Sequence, residues 1–218
     1  MTDGATQHRF HEAFAAPVVA TAGSADPAAP LVVLLHGRGS SERDIIDLAG
    51  LLPDGPAYAA VRAPIAEGGG YAWFANRGIG RPVAQSLLET TTWFRQWLDD
   101  VAPAGRRVVL AGFSGGAAFA GGLLLADPAR WAGVAVLYGT LPFDAGVPTT
   151  DGRLHGVPVF LAHGTNDTVI PADLLARTWE YAHGGSGAAL TSHRDAGGHG
   201  ITEGALAALR EWLTALTS

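Results

Sequence analysis

Val108-Val109-Leu110-Ala111-Gly112-Phe113-Ser114-Gly115-Gly116 is the stretch on which the reading of this chain turns. Four apolar residues in a row suit a strand buried on both faces. They run directly into Gly-x-Ser-x-Gly, and the apolar run Gly115–Ala126 that follows reads as a helix. Strand, tight turn and helix around such a serine make a nucleophile elbow, which holds the hydroxyl above the sheet. The glycines two before and two after the serine are required because the turn brings backbones together with no room for a Cβ. The helix carries Gly115, Gly116, Gly121 and Gly122, each costing about 1 kcal/mol relative to Ala in a helix interior. Close packing against the sheet is the expected compensation.

Outward from this stretch the same alternation recurs. Leu31–Leu35 is apolar at every position, and similar runs lie at Ala57–Val61, 107–111, 134–137 and 157–162, with a last short strand at 188–192. Amphipathic stretches at 86–101, 172–183 and 202–216 read as helices. Strand and helix in alternation predict an α/β domain with a mostly parallel sheet covered on both faces. Pro103 and Pro128 stop helices and Pro171 opens one. Residues 1–30 read as an N-terminal segment with one edge strand near Pro17-Val18-Val19-Ala20, and Phe10 and Phe14 precede it. The chain has no repeat and no linker long enough to separate two domains, so residues 1–218 are expected to form one domain.

Composition narrows the function. Apolar residues make up 48% and charged residues 16%, which suits a filled core rather than disorder. The formal net charge of −6 and the lack of a basic run argue against nucleic acid and anionic membrane as partners. There is no cysteine, which excludes disulfides, thiolate metal sites and a cysteine nucleophile. No signal peptide or apolar span of about 18 residues is visible. The expectation is a soluble, cytoplasmic protein without stable membrane association.

A serine hydroxyl needs a base to take its proton, and the base needs a carboxylate to orient it. In the strand-turn-helix context both follow the serine in the chain, acid first. The strand at 157–162 ends in His163-Gly164-Thr165-Asn166-Asp167, and the last strand is followed by Gly197-Gly198-His199-Gly200. Asp167 is therefore the expected acid and His199 the expected base. Asp151 reads as a surface turn, Asp173 as a helix-start charge, and Asp195 as too near His199 in sequence to orient it. His36, His163 and His193 are the rival bases, and His36 reads as a structural residue of its loop. These histidines and carboxylates share no metal-ligand spacing, so no metal site is expected. His36-Gly37-Arg38-Gly39 follows an early strand, where a second oxyanion donor belongs. The backbone N–H groups of Arg38 and Gly115 are assigned that role.

With these segments placed, the chain resembles the carboxylesterase/phospholipase family of α/β hydrolases, which includes the acyl-protein thioesterases. The resemblance rests on Leu35-His36-Gly37-Arg38-Gly39, Arg62-Ala63-Pro64, Trp73-Phe74, Gly112-Phe113-Ser114, Leu141-Pro142 and the run from His163 to Pro171, in that order. It covers roughly residues 31–217 and implies the α/β-hydrolase fold. It further implies hydrolysis of a carboxylic ester through an acyl-enzyme, with neither metal nor organic cofactor. Thioesterase-like members typically carry Gln after the serine, whereas this chain has Gly115. That departure favours a general carboxylesterase over an acyl-protein thioesterase or lysophospholipase.

Residues 62–74 read as a flexible loop ending in aromatics near the site entrance. Trp73 and Phe74 are either walls of an acyl pocket or packing beneath that loop, and Leu141 and Phe143 are similar candidates. The Arg38 side chain either faces solvent or leans over the site to favour acidic groups. No insertion is long enough for a lid domain, so a small or medium soluble ester is the expected small-molecule partner.

Overall fold

A computed structural model describes residues 14–218. Phe10 lies outside the described residues. The elements run β1 (Val19–Gly23), β2 (Leu31–Leu35), α1 (Glu42–Ile45), β3 (Ala57–Val61), β4 (Ile65–Glu67), β5 (Gly70–Ala72), β6 (Asn76–Gly78) and β7 (Arg81–Pro82). They continue with α2 (Ala84–Val101), β8 (Val108–Phe113), α3 (Gly115–Ala126), β9 (Gly133–Leu137), β10 (Pro158–Gly164), α4 (Ala172–Glu180), β11 (Ala189–Asp195) and α5 (Glu203–Thr217).

Seven strands form the central sheet in the order β1-β3-β2-β8-β9-β10-β11. Only β1 is antiparallel, pairing Val19 with Val61 at the edge. The order turns back on itself between β2 and β8, and the carboxyl ends of these two strands carry the loops at 36–39 and at Ser114. Open α/β sheets bind ligands at such a point.

Alternation along the strands sorts the core into two layers. Leu31, Val33 and Leu35 face α2 and α3, together with Leu87, Phe94, Phe119 and Leu123. Val32 and Leu34 face the opposite layer, where Leu209, Trp212 and Leu213 of α5 cover the sheet. Helix α3 is apolar all round and its residues from Gly116 to Leu125 are buried. Its glycines make close contacts, though only in part with the sheet. A Cβ on Gly116 would lie 2.2 Å from the Leu35 carbonyl oxygen at the end of β2. Gly121 instead faces Leu141, and Gly122 faces Leu87 of α2. Their compensation is contact with a loop and a neighbouring helix.

Two short hairpins depart from the sequence expectation. The segment after Arg62 is a paired β4–β5 hairpin rather than an open loop, with Ile65 opposite Ala72 and a tight Gly68-Gly69 turn. A second hairpin, β6–β7, lies directly before α2. The helix beginning at Ala172 closes at Glu180 and passes into a wider turn over Tyr181–Gly185.

Phe119 has no solvent exposure, stacks on Trp73 at 4.4 Å and meets Phe94 edge-on at 5.5 Å. Phe119→Ala is expected to lower the unfolding free energy by about 3–5 kcal/mol. Leu88→Ala, at a position 61% exposed on α2, is expected to change it by less than about 0.5 kcal/mol. Urea denaturation of both variants checks the pair, and a Phe119→Ala loss under about 1 kcal/mol would contradict the packing described.

Candidate active site

The elbow begins where β8 ends. Ser114 holds φ 55° and ψ −113°, a conformation that non-glycine residues rarely adopt and that requires support from its surroundings. The support is tight packing on both sides. A Cβ on Gly112 would stand 2.2 Å from the Gly116 carbonyl oxygen. The Ser114 N–H donates to the Leu137 carbonyl at 2.9 Å, and the Ser114 carbonyl accepts from Ala117 N–H at 3.0 Å as the helix opens.

Asp167 and His199 converge on this serine from two other strand ends. Ser114 Oγ lies 2.8 Å from His199 Nε2, and His199 Nδ1 lies 2.8 Å from Asp167 Oδ2. An ionised carboxylate only accepts, so the proton sits on Nδ1 and Nε2 is free to accept the serine proton. The Asp167 side chain is fully buried and its other oxygen accepts the N–H groups of Val169 and Ile170 at 2.8 and 3.0 Å. Burial pushes this carboxyl's pKa up, but the bonds from His199, Ile170 and Val169 outweigh it and hold the group below its ordinary value. Asp167 is thus a carboxylate at neutral pH.

Asp195 has a different task from the one weighed for it in the sequence. Its carboxylate accepts from Tyr138 Oη at 2.8 Å, Thr202 Oγ1 at 2.6 Å and Gly197 N–H at 2.7 Å. Asn166 Nδ2 donates to the Ala196 carbonyl and Asn166 N–H to the Gly197 carbonyl. The turn bearing His199 is therefore fastened at its start to the loop bearing Asp167, and at its far end Thr202 is held by Asp195. Nothing in the sequence pattern isolates Tyr138 for this role. The available signal for Asp195 is the short Asp-x-Gly spacing, which makes a side-chain-to-backbone turn.

The donor loop lies opposite. A Cβ on Gly115 would be 3.3 Å from Arg38 N, so the start of α3 lies against the 36–39 loop. The Gly115 N–H opens α3 and has no partner within the helix. His36 fixes this loop: its Nδ1 donates to the Gly37 carbonyl at 2.8 Å, while Nε2 accepts Ala63 N–H at 3.0 Å. Trp73 Nε1 donates to the His36 carbonyl at 2.8 Å. The Arg38 side chain is engaged by Glu67 through two nitrogens, and Nη1 donates to the Phe74 carbonyl at 3.2 Å. Glu67 matches its charge in a partly exposed pair, and the residue lines the Ser114 cleft.

Ser114 and His199 open into a cleft of about 420 Å³ whose apolar wall includes Ile45, Phe74, Ile79, Phe113, Val169 and Ile170. Phe74 lies where the sequence suggested. Trp73 does not: it is buried beneath the cleft against Phe119 and His36. Leu141 also belongs to the interior, packed on Gly121 and facing a separate small void beside Leu124 and Leu154. Phe143 lines a neighbouring cavity. The sequence reading overlooked Ile79 and Val169, which are 53% and 42% exposed at the cleft. An apolar residue between two glycines, as in Gly78-Ile79-Gly80, was the available signal for the first.

Because burial lowers the His36 pKa from its ordinary value, the folded protein binds fewer protons than the unfolded chain as pH falls below about 6.5. The stability due to neutral His36 is complete above that pH and declines through the window below it. Urea unfolding at pH 7.5, 6.5 and 5.5 is expected to give a shallower decline for His36→Gln, which keeps a donor and an acceptor. Identical slopes for the two proteins would contradict a buried neutral His36.

A model of the phospholipase/carboxylesterase family matches residues 16–217. MhqD of Bacillus subtilis, a hydrolase by name, is 26% identical over 186 residues, spanning 84% of this chain and 91% of MhqD. Acyl-protein thioesterase 1 of Kluyveromyces lactis is 29% identical over 175 residues, 70% of this chain and 76% of the thioesterase. A carboxylesterase from Bacillus cereus has a similar structure, with a TM-score of 0.81 at 25% identity over 97% of this chain and all of the other. The matched span contains the elbow, both partner loops and the 36–39 loop. On this fold and this match, the chain belongs to the phospholipase/carboxylesterase family of α/β-hydrolase-fold hydrolases.

Proposed function

We propose that the protein is a serine carboxylesterase that hydrolyses small to medium acyl esters through an acyl-enzyme on Ser114. The observation that carries this reading is the unbroken chain of 2.8 Å hydrogen bonds from Asp167 through His199 to Ser114, opening into an apolar cleft.

His199 Nε2 accepts the proton as Ser114 Oγ attacks the acyl carbonyl. The carbonyl oxygen gains negative charge next to the N–H groups of Arg38 and Gly115. Asp167 keeps the ring in the accepting tautomer and stabilises the imidazolium that forms. His199 next gives the proton to the leaving alkoxide, which departs as the alcohol and leaves the acyl group on Ser114. Water then attacks this ester with His199 again as base, and collapse returns the proton to Ser114 and releases the acid.

A second reading, acyl-protein thioesterase or lysophospholipase, draws support from the thioesterase names among the relatives. Gly115 speaks against it, because a side chain there would meet Arg38 N at 3.3 Å and crowd the donor loop. A ligand-binding protein without catalysis has no use for an imidazole held between a hydroxyl and a buried carboxylate.

With p-nitrophenyl butyrate, Ser114→Ala and His199→Ala are each expected to lower kcat/KM at least about 10⁴-fold. Asp167→Asn is expected to lower it about 10³–10⁴-fold. EDTA should leave the wild-type rate unchanged. Activity surviving in Ser114→Ala, or lost to EDTA and restored by metal, would overturn the proposal. Matched butyryl ester and thioester substrates decide between the two readings: an ester-favouring kcat/KM supports the first, and a strong thioester preference supports the second.

A further inference from the structure

We propose that the substrate cleft continues over Gly80 into a second cavity, where Arg77 and Arg81 receive an anionic group at the far end of the substrate. The inference rests on the ester-hydrolase reading of the first cavity and adds the substrate's charge class to it.

The second cavity measures about 310 Å³, and Arg77, Gly80, Arg81, Phe143, Asp144 and Leu174 contribute to its walls. Gly80 also lines the Ser114 cleft. A Cβ at Gly80 would lie 2.8 Å from both Leu174 of the second cavity and Thr140 of the first. Its φ of +71° reinforces the need for glycine. The two cavities therefore share the backbone of Gly80, which packs closely between Leu174 and Thr140. The β6–β7 hairpin presents different residues to each. Asn76 and Ile79 line the first cavity, while Arg77 and Arg81 line the second.

The charge around the second cavity is unbalanced. Arg81 pairs with Asp173 at 2.7 Å and Arg177 with Asp144 at 3.1 Å. Arg77 bonds only to the Asp144 carbonyl oxygen, at 3.2 Å, among the described residues. Two guanidinium groups and one carboxylate thus line the cavity, with Asp173 and Arg177 paired to them from beyond its walls, on a chain whose net charge is −6. The Arg81–Asp173 pair is exposed on both sides, and such pairs contribute only about 0–1 kcal/mol. Re-pairing Arg81 with a substrate anion costs correspondingly little, and arginine forks match carboxylate and phosphate oxygens.

A polar feature marks the path between ester and anion. The Asn76 side-chain carbonyl oxygen is buried, lines the first cavity and has no hydrogen-bond partner among the described residues. Native proteins rarely leave such a group unmatched. This oxygen only accepts, so it suits a hydroxyl or N–H of a substrate and not the anionic group itself. The substrate class is an ester bearing a carboxylate or phosphate several bonds from the scissile carbonyl, on either the acyl or the alcohol part.

Two kinetic arms and one binding arm test this. The acyl arm compares p-nitrophenyl half-esters of succinic, adipic and suberic acids with neutral p-nitrophenyl esters of equal length. The alcohol arm compares butyrate esters of ω-hydroxy acids with those of neutral alcohols. Arg77→Ala/Arg81→Ala is expected to raise KM about tenfold for the anionic member of one arm, leaving kcat and every neutral ester within twofold. The arm that responds tells which side of the ester carries the anion. In Ser114→Ala, calorimetry with monomethyl adipate and the butyrate ester of 6-hydroxyhexanoic acid should show about tenfold weaker binding of one of them once both arginines are removed. Neutral-ester turnover reports on the ester-hydrolase reading separately, and the calorimetry stands without turnover. The proposal is overturned if the double variant leaves anionic KM values and both affinities unchanged, or if neutral and anionic esters decline together.

Discussion

The approach of Gly116 to the Leu35 carbonyl is the constraint on which the site depends. It lets α3 start against the end of β2, and it needs a residue without a side chain. Gly112 meets the same limit from the strand side, against the Gly116 carbonyl. Between them Ser114 is forced into its unusual backbone conformation, with its hydroxyl raised off the sheet. The same contact sets the first N–H of α3 beside the 36–39 loop, so one packing event positions both Ser114 and the N–H groups proposed to hold the oxyanion.

The remaining groups reach this point because loops are bonded to one another more than to the sheet. Asp195 ties down the turn bearing His199, and Asn166 links that turn to the loop bearing Asp167. On the other side His36, Trp73 and the Arg38–Glu67 pair connect the donor loop to the β4–β5 hairpin. The bonds of His36 and Trp73 are buried, and such satisfied buried bonds give rigidity. Rigidity matters here because donors aligned in advance need no reorganisation as charge develops.

Much of this was legible in the chain because its signals are local. An unbroken apolar strand, a Gly-x-Ser-x-Gly turn and histidine in a glycine frame each carry their meaning within a few residues. Leu31–Leu35 and Ala57–Val61 match the strands found, and α3 matches its expected span. What escaped depends on the arrival of distant chain. Trp73 reads as a pocket aromatic until Phe119 is seen stacked on it. Leu141 reads likewise until Gly121 receives it. Arg38 looks available until Glu67, 29 residues on, takes up its charge. The β6–β7 hairpin is too short for any periodicity, yet its residues line two neighbouring cavities. Asp195 was set aside for lying near His199 in sequence, and that nearness is what lets it organise the turn.

The central claim is that Ser114, His199 and the N–H groups of Arg38 and Gly115 act on one reacting carbon. A crystal structure of the protein after reaction with an alkyl fluorophosphonate addresses it most directly, because the adduct's phosphoryl oxygen stands where the oxyanion would form. The account predicts phosphorus bonded to Ser114 Oγ and that oxygen about 2.7–3.1 Å from both nitrogens. Phosphorus on another residue, or a phosphoryl oxygen turned to solvent away from Arg38 and Gly115, would contradict it.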